Sequence, residues 1–381
     1  MKKIALYVFI DALGWEIYQK YGFMESLAPT SRRLKTTFGF SSAADPSILT
    51  GRYPDEHGHW SSFLYDPENS PFKWMSLLSK LPPVIFDRWR VRHNLSKVIK
   101  RLNSYTGYFE LYQVPFKYLP YFDYLEKHDY FVPGGILQTD TIFDWCVEKG
   151  IPYYCSNWRQ SEDRILLENK RVISAAEIKL AYVYLPKLDG IMHNHGPFSE
   201  ATRAKLHELE EQITGLYNFA TKLYDEVALY VISDHGMAPV TGSVDLIKIV
   251  ENLGLVYGKD YIAFYDSTMA RFWWLKPAAR EIVLNRLAEE KSGMIVEQKD
   301  LGELRVRFEH NRFGDDYFLM QEGTLINPSY MGLKVIPGMH GFHPDAPHSY
   351  SVMLSNREIP EDIQSITDIR KTMEYELEQR I

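Results

Sequence analysis

Runs of apolar residues mark the strands that this chain is predicted to bury. Three nearly unbroken runs occupy residues 4–10 (IALYVFI), 180–185 (LAYVYL) and 227–233 (VALYVIS). Such runs are typical of strands covered on both faces of a parallel sheet, whereas a strand with one solvent-facing side alternates apolar and polar residues. The pattern therefore predicts a mostly parallel central sheet.

Segments with helical periodicity alternate with these strands. Residues 200–224 carry apolar side chains at three- and four-residue spacing, with charged residues between them. Shorter helices are predicted at 140–149, which Gly150 and Pro152 would end, and at 278–291. Strands and helices in alternation predict an α/β fold in which helical layers cover both faces of the sheet.

Residues 61–135 depart from this alternation and are rich in Tyr, Phe, Trp and Pro. We predict that they form an inserted aromatic cap, while residues 1–60 and 136–381 form the main α/β domain. The window 88–109 holds six basic residues and no acidic one. This charge suits either a solvated basic helix on the cap or a lid that brings aromatic rings and positive charge to an anionic substrate.

Composition narrows the class of protein. The chain has 381 residues, of which 45% are hydrophobic and 14% aromatic, so it can build a sizeable core in one large domain with an insertion or in two domains. The formal net charge of −7 argues against a nucleic-acid polymer as partner, because proteins that bind such polymers carry a basic balance.

Features that report on location favour a cytoplasmic protein. The apolar run at 4–10 ends in Asp11 without a small-residue cleavage site, so it is interpreted as a strand rather than a secretory signal. No stretch approaches the roughly 20 apolar residues that span a bilayer. Cys146 and Cys155 are close enough in sequence for a short-loop disulfide, but such sparse cysteine usage suits a reducing compartment better.

Acidic residues follow each of the three apolar runs. Asp11 and Asp234 come directly after two of them, and Asp189 follows the third within a few residues. In open α/β sheets, ligands bind in the crevice beyond the carboxyl ends of the strands. His193 lies four residues after Asp189, and His235 directly follows Asp234, so each pair can face a single ion.

A third histidine, His340 in GMHGF, completes a set of three carboxylates and three imidazoles. This mixture suits zinc or manganese rather than calcium, which takes oxygen ligands. Two such ions about 4 Å apart can act on the attacking and leaving oxygens of a displacement at phosphorus. Ser41 and Ser42, in FSSAADPSILTG, offer hydroxyl groups for the attack. These residues therefore indicate phosphoryl transfer.

The motifs together resemble the alkaline phosphatase superfamily, and within it the nucleotide pyrophosphatase/phosphodiesterase branch. The resemblance extends from Asp11 to about residue 350. It depends on five elements in order: Asp11 at the end of the first strand, TGRYPDEHG at 50–58, DGIMHNHGP at 189–197, DHGM at 234–237 and HGF at 340–342.

The resemblance implies an alkaline phosphatase-like catalytic domain that binds two zinc ions, with manganese as an alternative. One ion is expected to be held by Asp189, His193 and His340. The other is expected to be held by Asp11, Asp234 and His235. The family spacing places the nucleophile nine residues before Thr50, at Ser41, whose oxygen would also contact the second ion. The implied reaction is hydrolysis of a phosphodiester or pyrophosphate bond in a small anionic substrate, through a phosphoseryl intermediate.

One departure from the family pattern bears on specificity. Relatives usually carry an asparagine three residues after the nucleophile, and this chain has Ala44 there, beside Asp45. Contacts to the phosphoryl oxygen must therefore come from the backbone, the cap or elsewhere. Ala43 and Asp45 also stand where the sulfatase signature has Pro and Arg, which argues against a sulfatase.

Two alternatives to a phosphodiesterase follow from the same residues. A phosphomonoesterase or phosphotransferase acting on a sugar or lipid head group would need an extra cation for the dianionic ester. A non-catalytic relative would keep its metals and lose turnover. Within the enzyme hypothesis, Ser42 is the alternative nucleophile.

Overall fold

The central element of the fold is a six-stranded sheet. A computed structural model describes residues 1–80 and 88–380. The parallel strands of the sheet are β1 (Lys3–Ile10), β5 (Tyr153–Cys155), β6 (Leu180–Leu185) and β7 (Glu226–Ile232). Two further strands, β2 (Thr30–Leu34) and β16 (Ser351–Ser355), pair antiparallel to each other, and β16 also pairs antiparallel to β7. The order is β2–β16–β7–β1–β6–β5, which confirms the mostly parallel sheet.

Strand β1 lies in the middle of this sheet and is buried on both faces. Its even-numbered residues from Ile4 to Ile10 pack on one side and its odd-numbered residues from Ala5 to Phe9 on the other, all fully buried. This explains the unbroken apolar run, since neither face of the strand meets solvent. The first side is covered by α1 (Trp15–Tyr21), α6 (Glu162–Ile173) and α8 (Glu200–Ala220). The second is covered by α2 (Ser41–Thr50), α5 (Ile142–Glu148) and α12 (Ile369–Glu378).

The predicted helices are present with shorter bounds. The helix predicted at 200–224 ends at Ala220, yet Tyr224 beyond it is buried and its hydroxyl donates to the carbonyl of Ile178. The apolar periodicity therefore continues past the helix because the following turn also packs on the core. Helix α5 begins after Thr141, whose hydroxyl accepts a hydrogen bond from the backbone of Asp144.

A second, antiparallel sheet lies toward the C-terminal half of the chain and was not predicted. Its strands are β10 (Tyr261–Tyr265), β11 (Met269–Trp274), β12 (Gly293–Val296) and β13 (Asp316–Met320), in the order β10–β11–β13–β12. The helices in this region are α9 (Leu246–Glu251), α10 (Pro277–Ala288) and α11 (Gln298–Glu303). Helix α10 corresponds to the helix predicted at 278–291.

The segment 61–135 packs on this second sheet. It contains the paired strands β3 (Phe63–Tyr65) and β4 (Phe122–Tyr124), helix α4 (Trp89–Leu102) and 3₁₀ helices at Lys73–Lys80 and Leu119–Tyr121. Residues 81–87 of the predicted cap lie outside the described part of the chain. Phe63 and Phe122 both contact the ring of Phe264, with centroid distances of 5.1 and 5.2 Å. The aromatic residues of the segment thus pack in a hydrophobic core that the segment shares with the second sheet.

Short elements complete the fold near the ends of the central strands. They are α3 (Pro54–His57), α7 (Lys187–His195), β8 (Ala238–Pro239), β9 (Gly242–Val244), β14 (Thr324–Ile326) and β15 (Gly338–Met339). Strand β15 pairs with β8 and β14 with β9. Cys146 and Cys155 are free thiols. Among the described residues, no helix combines the length and the apolar character needed to cross a bilayer.

Candidate metal centre and adjoining cavity

The carboxyl ends of three parallel strands bring the predicted ligands together. Asp11 directly follows β1, and Asp234 and His235 lie just beyond β7. Helix α7, which follows β6, carries Asp189 and His193 one turn apart. The pairing of β15 with β8 brings the sixth residue, His340, to the same edge. The six residues form two groups, each able to hold a metal ion.

The first group consists of Asp189, His193 and His340. Oδ1 of Asp189 lies 3.2 Å from Nε2 of His193 and 3.6 Å from Nε2 of His340. Nδ1 of His193 lies 2.8 Å from the carbonyl oxygen of Gly338, so this nitrogen carries the proton and Nε2 is free to bind a metal. The three ligand atoms therefore converge on one point.

The second group consists of Asp11, Asp234 and His235. Nε2 of His235 lies 2.9 Å from Oδ2 of Asp234 and 4.0 Å from Oδ1 of Asp11. The imidazole rings of His235 and His340 stack with centroids 3.8 Å apart, which sets the two groups side by side. The geometry matches a pair of neighbouring ion sites.

The hydrogen-bonding state of these side chains fits divalent cations. Within the described part of the chain, the buried atoms Oδ1 of Asp11, Oδ1 of Asp189 and Oδ2 of Asp234 have no hydrogen-bond partner. Buried carboxylate oxygens without a partner are costly unless a cation compensates them. Burial raises the pKa of Asp11 well above its usual range, and the nearby charges of Asp234 and Asp189 raise it further. Bound cations would relieve both the desolvation and the mutual repulsion.

The remaining oxygens of two of these carboxylates are held in place. Oδ2 of Asp11 accepts a hydrogen bond of 2.9 Å from the hydroxyl of Tyr184, and Oδ1 of Asp234 accepts one of 3.1 Å from the backbone of Ala12. Burial, followed by the neighbouring His235, lowers the pKa of His340 well below its usual range. His340 is therefore neutral, the form in which an imidazole binds a metal.

The two candidate nucleophiles have different surroundings at the start of α2. Oγ of Ser41 lies 3.2 Å from Nε2 of His235, at the edge of the second group. Oγ of Ser42 instead donates to the carbonyl oxygen of Trp60 at 2.9 Å and is buried. This geometry supports Ser41, rather than Ser42, as the residue that faces the site.

The N-terminus of α2 also offers backbone donors beside Ser41. The N–H groups of Ala43 and Ala44 bond to the carbonyl of Phe40, which leaves those of Ser41 and Ser42 at the open end of the helix. Free N–H groups at a helix N-terminus favour a phosphate group. They are candidates for the contacts to a phosphoryl oxygen that the side chain of Ala44 cannot make.

A cavity of about 570 Å³ opens onto both groups and Ser41. The segment 61–135 supplies much of one wall, including Ser62, Tyr108 and Glu126. The described basic residues of α4 do not line the cavity. Arg92 of α4 donates to the carbonyl of Val114, and Lys100 bonds to a neighbouring carbonyl. The described residues thus do not support the hypothesis of a lid that brings positive charge, because the segment contributes two carboxylates, Glu126 and Asp129, and no lysine or arginine to the lining.

Two residues of the site were missed by sequence reasoning. Tyr184 lies inside an apolar run, and its register opposite Phe9 of β1 is what puts its hydroxyl beside Asp11. The sequence held one signal for Tyr184, namely a tyrosine near the end of an apolar run that was predicted to form a central strand. Glu126 gave no signal, since its side chain bonds to Ser62, which lies 64 residues earlier in the chain.

The fold and the site together define a class of protein. A mostly parallel sheet between helical layers, with two Asp/His groups and a serine beyond the carboxyl ends of its strands, is the arrangement of an alkaline phosphatase-like hydrolase. The family model for type I phosphodiesterase / nucleotide pyrophosphatase matches residues 6–343. The chain therefore belongs to this family, whose members are hydrolytic enzymes.

Solved structures share the fold at low sequence identity. Murine ectonucleotide pyrophosphatase/phosphodiesterase 5 matches with a TM-score of 0.67 and 16% identity over 98% of this chain and 95% of its own. An inactive variant of the murine protein in complex with AMP matches with a TM-score of 0.67 and 16% identity over 99% and 95%. The human protein matches with a TM-score of 0.68 and 13% identity over 98% and 95%. No curated protein matches the chain in sequence.

Proposed function

We propose that this protein hydrolyses phosphodiester or pyrophosphate bonds of small anionic substrates with two divalent ions and Ser41 as nucleophile. Zinc is the preferred ion on the basis of the mixed carboxylate and imidazole ligands, with manganese as the alternative. The observation that carries the proposal is the position of Ser41, whose Oγ lies 3.2 Å from Nε2 of His235, at the edge of the second ligand group.

The residues of the two groups have separate tasks in this reaction. Asp189, His193 and His340 would hold one ion. Asp11, Asp234 and His235 would hold the other. When bound, the ions would lower the pKa of the serine hydroxyl and stabilise the charge that develops on the leaving oxygen.

The chain itself supplies the nucleophile and the orientation of the phosphate. Oγ of Ser41 forms a bond to phosphorus as the bond from phosphorus to the leaving oxygen breaks. The open N-terminus of α2 favours the negative charge on the phosphoryl oxygens during this step. A water molecule then attacks the phosphoseryl group, the bond between Oγ and phosphorus breaks, and the product carries the new hydroxyl while Ser41 regains its proton.

The lining of the cavity favours a diester over a monoester. A phosphomonoester carries a second negative charge, which calls for an additional cation beside the ions. Among the described residues that line the cavity, Lys334 is the one lysine or arginine, and it lies on an exposed stretch of chain. The murine relative was solved in complex with AMP, which is itself a monoester, so that complex supports a small phosphoester as ligand but not the preference for a diester.

Metal analysis and a pair of chromogenic substrates test the proposal. The purified protein should contain about two zinc or manganese ions per chain. It should hydrolyse bis-p-nitrophenyl phosphate faster than p-nitrophenyl phosphate, and chelation should abolish both activities. Two ions with a monoester preference would favour the phosphatase alternative. Turnover that survives complete removal of the metals would exclude the two-metal reaction.

A further inference from the structure

Helix α4 presents a row of cations to solvent. Arg90, Lys97 and Arg101 follow one another at spacings of seven and four residues, which places them on one face of the helix, and all three are exposed. The opposite face contains the buried residues Ser96 and Ile99 and packs on the rest of the segment 61–135. The packing of that face holds the three cations toward solvent.

No acidic side chain compensates these cations. Among the described residues, Arg90, Lys97 and Arg101 form no ion pair with a carboxylate. The window 88–109 contains no acidic residue, whereas the whole chain has a formal net charge of −7. Soluble surfaces usually intersperse the two signs of charge. The exposed face of α4 is therefore a local positive region on an acidic protein, and it is complementary to an anionic partner.

Large apolar side chains flank the charged face on both sides. With 3.6 residues per turn, Trp89 lies on one side of it, and Val98 and Leu102 lie on the other. These residues are 65%, 51% and 75% exposed, respectively. The indole of Trp89 stacks on the imidazole of His93, with ring centroids 5.0 Å apart, which fixes its orientation while most of the residue stays exposed.

This combination of side chains favours a lipid surface over other anionic partners. The phosphates of a nucleic acid would attract the cations but offer no apolar layer to Val98 and Leu102. A bilayer with anionic head groups offers both, since negative charge lies at its surface and acyl chains lie directly beneath. Tryptophan is enriched at this boundary, where the ring is half in water and half in lipid.

We propose that the exposed face of α4 docks on the surface of a bilayer that contains anionic phospholipids. Arg90, Lys97 and Arg101 bind the head groups, and Trp89 and Leu102 insert at the boundary between head groups and acyl chains. The contact is peripheral. It does not depend on the proposed function, because none of these five residues lines the cavity.

Docking through α4 would also set the position of the cavity. Lys100 of the same helix donates a hydrogen bond to the carbonyl of Gly107, and Gly107 lines the cavity. The docked helix would therefore hold the cavity close to the bilayer.

Sedimentation of the full chain with vesicles tests the proposal. The vesicles consist of phosphatidylcholine alone or of phosphatidylcholine with about 30% phosphatidylserine. We expect binding to the anionic vesicles to be at least roughly tenfold tighter than to the neutral ones, and to weaken at high salt. The triple variant Arg90→Gln/Lys97→Gln/Arg101→Gln should bind the anionic vesicles roughly a hundredfold more weakly than the unmodified chain, because each cation near such a surface adds to the affinity.

A second triple variant controls for net charge. Lys222→Gln/Lys259→Gln/Lys291→Gln removes three exposed lysines outside the segment 61–135, so it changes the net charge by the same amount. It should bind anionic vesicles like the unmodified chain. Both triple variants alter only exposed side chains, so both should keep the circular dichroism spectrum of the unmodified chain and its hydrolysis of bis-p-nitrophenyl phosphate.

Brominated lipids report which face touches the bilayer. Vesicles that contain brominated phosphatidylcholine beside phosphatidylserine should quench part of the tryptophan fluorescence of the bound chain. Trp89→Phe should lose most of this quenching. Trp15→Phe is the matched control, because Trp15 on α1 packs against the core of the central sheet, and it should keep the quenching.

Four results would overturn the proposal. The first is equal binding of the unmodified chain to neutral and anionic vesicles, or to neither. The second is equal binding of the two triple variants to anionic vesicles. The third is quenching that persists in Trp89→Phe, which would show that another face touches the lipid. The fourth is tighter binding to a DNA duplex than to anionic vesicles, which would assign the charged face to a nucleic acid.

Discussion

The hydroxyl of Tyr184 donates a hydrogen bond of 2.9 Å to Oδ2 of Asp11, across two neighbouring parallel strands. The register that pairs Phe9 with Tyr184 places the hydroxyl directly beside the residue that follows β1. Because Oδ2 is engaged, Oδ1 of Asp11 is the oxygen left to face His235, at 4.0 Å. If Asp11 holds an ion as proposed, Tyr184 would be a positioning residue that selects which oxygen of Asp11 faces that ion.

Removal of this hydroxyl should weaken one ion site. Outer partners of metal ligands typically contribute about 10–100-fold to metal affinity. We expect Tyr184→Phe to lower the affinity for the more weakly held zinc ion by roughly tenfold, measured by competition with a chromogenic chelator. Tyr182→Phe, two residues earlier on the same strand, is the matched control. Identical zinc titrations for the two variants would remove Tyr184 from the site.

Substitution of the two serines should show which one is the nucleophile and which one has a structural role. Ser41→Ala should reduce hydrolysis of bis-p-nitrophenyl phosphate by roughly a thousandfold or more while both metal ions remain bound. Ser42→Ala should keep activity within a few-fold but lose about 1–2 kcal/mol of stability, because the buried carbonyl of Trp60 loses its donor. Steady-state kinetics, metal content and denaturant unfolding of both variants provide the comparison.

One outcome would reverse the assignment of Ser41 as the nucleophile. If Ser42→Ala abolished hydrolysis and Ser41→Ala did not, the choice of nucleophile would pass to Ser42. If neither variant changed hydrolysis, the phosphoseryl route would be wrong while the family membership would stand. Trapping a phosphoserine in the active variant and mapping it by mass spectrometry distinguishes these cases.

The predicted fold followed from patterns that are local in sequence. The runs at 4–10, 180–185 and 227–233 could be recognised because each is buried on both faces, and β1, β6 and β7 lie within one residue of those bounds. The antiparallel sheet of β10 to β13 was missed. Its strands are four to six residues long, and β10 and β11 are almost wholly buried, so they lack the alternation that marks a strand with one solvent face.

The candidate site was predictable where ligands directly follow strands. Asp11, Asp234 and His235 lie at strand ends, and residue type and order were enough to select them. Other hydrogen bonds of the site could not be recognised from the sequence. The bond from Tyr184 depends on the register of two strands, and the bond between Ser62 and Glu126 depends on the packing of segments distant in the chain. The boundaries of the predicted cap stay a prediction, since the segment shares its core with the second sheet.

Removal of one histidine should remove one ion. His340 contributes to the group with Asp189 and His193, and its loss leaves that group with two side chains. We expect His340→Ala to bind about one zinc ion instead of about two, and to lose hydrolysis, because the reaction needs both ions. His348→Ala, a histidine that pairs with Glu322 outside the cavity, serves as control and should keep both ions. Metal content is measured by plasma mass spectrometry after dialysis.

The buried carboxyl of Glu126 should make stability depend on pH in a defined direction. Burial raises its pKa from the ordinary 4.5 to about 7, so between these values the folded chain holds a proton that the unfolded chain has released. The free energy of unfolding must therefore fall as pH rises, by about 2 kcal/mol between pH 5 and pH 8 from this group. Glu126→Gln cannot ionise and should lose this contribution, so its stability relative to the unmodified chain should increase by that amount over the interval.

Denaturant unfolding of both metal-free proteins at the two pH values measures the difference. Glu110→Gln is the matched control, because Glu110 belongs to the same segment, bonds to His93 and Ser96, and lies outside the cavity lining. A stability difference that is the same at pH 5 and pH 8 would show that Glu126 ionises as readily in the folded chain as in water, and that its carboxylate already has a compensating charge.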